Sequence, residues 1–364
     1  MIMSFIFRQH TDSMITHSKK QKPGKLSRFY AILTLLLPLA VFLVSCGSNA
    51  ASSPYQINFA VDGEPNANDS GVYVALAQGW YKQQGITVNI LPFSTSVSSD
   101  QLVSSGKADF GISFAPALTG DRARNQPVVS VAAVYQHNTG SLVSLKTSGL
   151  DTVAKLAGKR YANGGSAWEQ PLVTQILSCN GASDGSFQNV VTDLDPLVAL
   201  QSGNFDFAIM GQGWGVIAAK FQGIGLNVFP FVDYCIPDAY QTDILSNESF
   251  LQNHPDIARR FLAATSQGYT YAAQHPQQAT NILVAGAPKG TFPDLNEILA
   301  SQQFQSAQYI NDGKCWGYQT LQRWTGFPQF MYNHHAILDA TGKPITKAPD
   351  YAAAYTNDYL PSCS

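Results

Sequence analysis

The sequence predicts an α/β fold divided into two lobes, and three observations predict it. Short runs rich in β-formers alternate with helical stretches, the arrangement of sheets covered on both faces. The alternation breaks near residue 139 and then restarts. The chain that remains after an N-terminal targeting segment, 319 residues from Cys46 to Ser364, has the length of two ordinary domains.

In the first half, "QINFAV" (Gln56–Val61) reads as a strand and runs into a polar, turn-rich loop, Asp62 to Asn68. A helix carrying Tyr73, Trp80 and Tyr81 follows, near Val72 to Tyr81. "ITVNIL", a helix near Asp100 to Ser105, "DFGISF", a helix near Pro116 to Arg124 and "PVVSVAAVY" complete this unit. The second unit runs through "SLVSLK", "KRYAN", a helix around Glu169 to Leu177, "FQNVVT", a helix near Leu197 to Ser202, "FDFAIM", a helix near Trp214 to Phe221, and "LNVFPF". After Asp243 the character changes, and from Pro255 to about Tyr332 the chain reads as mostly helical. "HPDIARRFLAATSQGYTYAAQ" is its clearest amphipathic helix, with proline at its start and at Pro276 as punctuation. This segment is expected to pack back on the first lobe. Two crossings between lobes result, near Gln136 to Ser141 and near Tyr240 to Ser246.

Residues 1–45 combine a basic stretch (Lys19, Lys20, Lys22, Lys25, Arg28) with the apolar run "FYAILTLLLPLAVFLV" and end in "LVSC" at Cys46. Leu43, Val44, Ser45 and Cys46 match the bacterial lipobox, in which the cysteine becomes a lipidated N-terminus. An ordinary secretory signal or a membrane anchor is the alternative. Residues 46–54 then form a small, polar tether. Past residue 45 there are 16 basic and 23 acidic residues, a net charge of −7, which argues against a nucleic-acid partner. Four cysteines remain after Cys46, an even number that suggests disulfides in an exported chain. Cys179 is expected to pair with Cys235 and Cys315 with Cys363, although four cysteines allow three connectivities. No spacing suits structural zinc, no H-E-x-x-H or G-x-S-x-G motif occurs, and no cofactor is implied.

In such folds ligands gather beyond the carboxyl ends of the strands. The segments there are Asp62 to Asn68, Phe114 with Ala115, "YQHNTG", "NGGSAWE", "GQGWG" and "DYCIPDAY", all rich in glycine, amides and aromatic rings. That content suits a flat polar heterocycle, which needs stacking faces and in-plane hydrogen-bond partners. In "NGGSAWE", Gly164, Gly165 and Ser166 could offer N–H groups to a ligand, or Ser166 and Glu169 could form a capping box. "GQGWG" does not fit the spacing of a dinucleotide fingerprint. Trp316 and Tyr318 in "CWGY" are placed as a stacking wall, with lobe core as the alternative.

The segments "DGEPNANDSGVYVALAQGWYKQQGITVNI", "LVSSGKADFGIS", "PVVSVAAVYQHNTGSLVSLK" and "FLAATSQGYTYAAQHPQQA", with the tail "YTNDYLP", resemble the NMT1/THI5-like substrate-binding proteins of ABC importers. The resemblance covers nearly the whole mature chain. It implies a two-lobe periplasmic-binding-protein fold of type II with two crossover hinges, lobe I comprising 55–138 and 246–364 and lobe II 139–245. It further implies an extracytoplasmic, lipid-anchored monomer that hands a small heteroaromatic ligand to ABC permease subunits in the membrane. Family members capture thiamine pyrimidine precursors or riboflavin, and more distantly nitrate and sulfonates. Gln136 to Thr139 and the turn at Trp316 point to the thiamine-precursor and riboflavin branch. The implied ligand set is Asp62, Gly63, Asn66, Tyr73, Phe114, Gln136, His137, Asn138, Trp316 and Tyr318 with Gly165, Ser166, Glu169, Gln212, Trp214 and Tyr234.

Two departures bear on the ligand. Pyrimidine binders tend to read D-W-x-P-N where this chain has Asp62-Gly63-Glu64-Pro65-Asn66, and Y-E-G-W where it has Gly211-Gln212-Gly213-Trp214. Loss of two rings and one carboxylate is expected to enlarge the cavity, and Gln212 suits the uracil edge of a flavin. The family also holds pyrimidine synthases that consume one of their own histidines and carry a cysteine cluster. Asp69 takes the place of that histidine here, and only Cys235 stands near the cluster's place, so the enzyme reading lacks both residues it needs.

Overall fold

The computed structural model describes residues 53–182, 185–310, 312 and 315–362. The expected signal segment, the expected lipidation site Cys46 and Cys363, the expected disulfide partner of Cys315, lie outside the described residues. Among the described residues no helix is long and apolar enough to cross a membrane.

The first sheet has the order β2-β1-β3-β10-β4, built from β1 (Tyr55–Ala60), β2 (Ile86–Leu91), β3 (Phe110–Ser113), β4 (Val128–Ala133) and β10 (Asp243–Asn247). β1 runs parallel to β2 and β3, while β10 is antiparallel to both β3 and β4. All four residues of β3 and all six of β4 are buried, as expected for strands covered on both faces. β2 at the edge alternates buried and exposed residues along its first half. The second sheet, β7-β6-β8-β5-β9, comprises β5 (Gly140–Leu145), β6 (Arg160–Asn163), β7 (Gln188–Val191), β8 (Phe207–Gly211) and β9 (Leu226–Pro230).

Helices α1 (Ser70–Ala77), α2 (Trp80–Gln83), α3 (Ser99–Ser104) and α4 (Ala115–Ala123) cover the first sheet, and α5 (Glu169–Cys179), α6 (Pro196–Gln201) and α7 (Ile217–Phe221) the second. The helix expected over Val72 to Tyr81 is interrupted at Gly79, whose φ of 70° breaks it into α1 and α2. The C-terminal part supplies α8 (Glu248–Asn253), α9 (Pro255–Gln274), α10 (Pro276–Gly286), α11 (Leu295–Ser306) and α12 (Leu321–Asn333). α9 buries Ile257, Phe261, Leu262, Thr265 and Tyr269 on one stripe against the first sheet and α1. Phe261 stacks on Phe110 of β3 with ring centroids 4.1 Å apart.

Three expectations are corrected. Residues 243–247 form a strand in the middle of the first sheet, so the second crossing ends before Asp243 and the first lobe resumes earlier than residue 246. The run "DILSN" holds only one strong β-former, Ile244, and its place between two buried strands, not its propensity, makes it extended. The C-terminal helices do not all pack on the first lobe: α12 straddles the two, with Trp324 in a first-lobe cluster and Phe327, Phe330 and Met331 in the core of the second. The helix expected from Trp214 begins as a π-turn at Gln212–Val216. Cys179 at the end of α5 and Cys235 are joined by a disulfide, with Cα atoms 6.8 Å apart.

Asp243 enters β10 fully buried, with neither carboxyl oxygen hydrogen-bonded among the described residues, and burial pushes its pKa up to about 7. A raised folded-state pKa gives stability that is complete below the unfolded value and is lost as pH rises through the folded one. Asp243 should therefore contribute a decline in folding stability between about pH 4 and pH 7, of up to about 4 kcal/mol. Chemical denaturation across this range should show a shallower decline for Asp243→Asn, and equal slopes would contradict the assignment.

Candidate functional site

The two sheets bring the carboxyl ends of several strands to face one another across the crossings. Tyr135 to Thr139 and Asp238 to Thr242 run side by side there. Val134 N–H donates to the Thr242 carbonyl (2.8 Å), Asn138 N–H to Asp238 Oδ1 (2.9 Å) and Thr139 N–H to Gln241 Oε1 (2.6 Å). Between the lobes lies a cavity of about 260 Å³. Asp62, Asn68 and Phe114 enter it from the first lobe, Asn138, Gln241 and Thr242 from the crossings, and Gly140, Trp168, Leu172, Ile209, Gly211 and Phe231 from the second. Phe327 of the straddling α12 also lines it, edge-on to Trp168 at 6.3 Å.

Four aromatic rings thus surround a small polar set. Asn68 is held by Tyr135, whose hydroxyl donates to its Oδ1 (2.5 Å), and by Tyr269, whose hydroxyl donates to its carbonyl (2.5 Å). Asn138 Oδ1 accepts from Gly140 N–H (2.7 Å), and Gln241 Oε1 is taken by Thr139. With their oxygens occupied, these three amides keep their NH₂ groups as donors. Asp62 is the one carboxyl, half-buried, with Oδ1 out of solvent and unpartnered. Burial pushes its pKa up to about 6. Among the described residues no lysine, arginine or histidine lines the cavity. Gly140 is required by close approach, because a Cβ there would stand 2.5 Å from the Phe231 ring.

Of the sequence-predicted residues, Asp62, Phe114 and Asn138 meet in this cavity and the others do not. Asn66 is spent as a cap: its Oδ1 accepts from Asn68 N–H (2.8 Å), and its N–H donates to Asp69 (3.1 Å). Tyr73 faces a larger groove of about 980 Å³, which is lined by α1, β2 and α10 of the first lobe alone. Glu169 is buried and accepts from Tyr161 Oη (2.5 Å), Gly164 N–H (3.0 Å) and Ser166 N–H (3.1 Å). The side chain of Glu169 thereby fills the N–H cradle expected to receive a ligand, while Gly165 N–H is bonded to Asn163. Gln136 donates to the Tyr318 carbonyl (3.2 Å). His137 bridges Asp238 (2.5 Å) and Asp312 (2.8 Å), which Arg323 also meets (2.9 Å), and so braces the crossings.

Trp316 is 1% exposed and stacks on Tyr269 at 4.4 Å in the first-lobe core, so the stacking-wall expectation fails. Tyr318 lies outside the cavity lining, and Tyr234 packs edge-on to Phe229 at 6.1 Å near the disulfide. Gly63 opens onto free space, while Gln212 and Trp214 lie in the π-turn, also outside the lining. The missing rings therefore do not leave a wide cavity, since Phe114, Trp168, Phe231 and Phe327 fill the space. Sequence reasoning missed Asn68, Trp168 and Gly211 inside segments it had singled out. Phe327 carried no signal, because a core helix and a cleft helix share one periodicity.

The lobes also touch away from the cavity. Ser301 Oγ (2.5 Å) and Gln305 Nε2 (3.4 Å), both on α11, donate to the Gly213 carbonyl in the π-turn, and a Cβ at Gly213 would come within 2.9 Å of Gln305. These bonds hold only when the lobes are together. Replacing both side chains by alanine should weaken ligand affinity about tenfold, through faster dissociation, at about 1–1.5 kcal/mol for the lost bonds. Stopped-flow release measurements would check this, and an unchanged dissociation rate would contradict it.

The family model described as "NMT1/THI5 like" matches residues 66–279. A formylaminopyrimidine-binding protein of Halalkalibacterium halodurans is 25% identical over 275 residues, 74% of this chain and 82% of the relative. A 4-amino-5-hydroxymethyl-2-methylpyrimidine phosphate synthase of Legionella pneumophila is 24% identical over 310 residues, 81% of this chain and 89% of the relative. Among solved structures, the alkanesulfonate-binding protein SsuA of Xanthomonas axonopodis pv. citri, bound to MOPS, superposes with a TM-score of 0.60 at 16% identity, over 84% of this chain and 99% of that one. This likeness gives the two-lobed binding-protein fold of type II.

Proposed function

Because this chain belongs to the NMT1/THI5-like family, we propose that it is the solute-binding subunit of an ABC importer that captures a single-ring nitrogen heterocycle of the aminopyrimidine kind. The observation that carries this reading is the Asp62 carboxyl, set among four aromatic rings and three amide donors with no cation beside it. A flat ring would stack between the aromatic walls, its ring nitrogens would accept from the amides, and an amino group would meet Asp62. The cavity of about 260 Å³ falls below the ~300–1,000 Å³ of sites for drug-sized ligands, which favours one ring over the three of a flavin. A carboxyl without a cation also disfavours nitrate and sulfonates. The formylaminopyrimidine-binding protein of Halalkalibacterium halodurans, as a relative, supports the same class.

Capture proceeds by closure. The ligand touches both lobes only when they are together, so binding stabilises the closed form that a permease would recognise. The lipobox ending at Cys46 supports an extracytoplasmic, lipid-anchored protein. Asp69, at the place of the synthases' consumed histidine, is 0% exposed and capped by the Asn66 N–H, which supports binding without catalysis.

Mass analysis of the small molecule released from protein purified from its native host tests the ligand: an aminopyrimidine is expected, and a yellow, fluorescent flavin would overturn the reading. Incubation with pyridoxal phosphate and iron tests the enzyme alternative. No pyrimidine product is expected, and its formation would overturn the transport role.

A further inference from the structure

Asp62, half-buried, and Asp69, fully buried, are two carboxyls in one loop, with no cation among the described groups acting on either. Asp62 Oδ1 and Asp69 Oδ1 are out of solvent and unpartnered among the described residues, while Asp69 Oδ2 accepts from Asn66 N–H (3.1 Å). The titratable groups facing them are all tyrosines: Tyr73 on α1, Tyr135 after β4, Tyr269 on α9 and Tyr309 after α11. Each is raised by burial and, further, by the carboxyls, so none supplies positive charge. Two such carboxyls do not both ionise, and the pair keeps at least one proton. Burial and the Asp62 charge hold Asp69 well above the carboxylate range, which leaves Asp62 as the group that titrates near pH 6.

We propose that ligand capture is proton-coupled: Asp62 meets the ligand as a carboxylic acid, donating from one oxygen to a ring nitrogen and accepting on the other from the adjacent amino group. This rests on the aminopyrimidine reading above and adds the protonation state of its key contact. A carboxylic acid matches the donor–acceptor edge of a neutral aminopyrimidine with two hydrogen bonds, whereas a carboxylate would turn lone pairs toward the ring nitrogen. Above pH 6 the complex therefore takes one proton from solvent, shared between Asp62 and the ring. Asp69 stays protonated throughout, because it is fully buried with Oδ1 unpartnered and burial holds it well above the carboxylate range.

The test is titration calorimetry of the full chain with 4-amino-5-hydroxymethyl-2-methylpyrimidine, in buffers of differing ionisation enthalpy from pH 5 to pH 8, corrected for titration of the free probe. Wild-type affinity should fall by approaching tenfold per pH unit above about pH 6, with uptake of about one proton at pH 7.5. Asp62→Asn presents a fixed NH₂ donor beside a carbonyl acceptor, so it should bind with little pH dependence and no uptake. Wild-type binding that is independent of pH without uptake, or loss of affinity by more than 100-fold in Asp62→Asn at every pH, would overturn the proposal while leaving the aminopyrimidine reading in place. Failure of the probe to bind wild type at any of these pH values would overturn both.

Discussion

Gly268→Ala should destabilise the protein by about 3 kcal/mol although it places alanine, the best helix former, inside a helix. Gly268 is buried on α9 where that helix crosses α1, and a Cβ there would fall inside van der Waals contact of the Gly71 carbonyl oxygen and 2.7 Å from the Gly71 carbonyl carbon. The obstacle is backbone, which cannot rotate away as a side chain could. Substitution would return about 1 kcal/mol of helix propensity, but separating α1 from α9 strains the packing around Tyr269 and Trp316 by more. α1 follows directly on the loop that carries Asp62 and Asn68, so the cavity should loosen as well. Urea unfolding would read the change as a lower midpoint, and a midpoint unchanged or raised would contradict the close approach.

Trp168→Ala should lower ligand affinity about 100-fold while lowering the unfolding midpoint of the free protein far less than a substitution in the core does. Trp316→Ala should do the reverse at the level of stability, costing about 3–5 kcal/mol. The contrast follows from position. Trp168 is half-buried and lines the cavity, whereas Trp316 is buried in the first-lobe core and stacked on Tyr269. Calorimetric binding with thermal unfolding of both variants would separate these roles. Equal affinity losses with equal stability losses would show that the two tryptophans had been wrongly divided between site and core.

The same two tryptophans mark how far the sequence could be read. Alternation of strand and helix gave both sheets nearly strand by strand, because buried strands such as "DFGISF" and "VVSVAA" have unmistakable apolar runs. It did not give β10, a short polar-flanked strand whose extended form is imposed by its neighbours. The site was legible as a set of loops, since Asp62, Phe114 and Asn138 do converge. Which residue of each loop faces inward was not legible. In "NGGSAWE" the carboxylate of Glu169 turns back onto its own N–H groups, and the neighbouring Trp168 goes to the cavity instead. In "GQGWG" the π-turn carries Gln212 and Trp214 away and leaves Gly211 at the lining. Aromatic residues satisfy core and cleft equally well, so only the packing separates Trp316 from Trp168.

A crystal structure of the protein with 4-amino-5-hydroxymethyl-2-methylpyrimidine would show whether one flat nitrogen heterocycle is held between the lobes. Density for a single ring is predicted between Phe114, Trp168, Phe231 and Phe327, with its amino edge on Asp62. A ring found in the groove beside Tyr73, or in the cavity with its amino edge turned away from Asp62, would contradict the account.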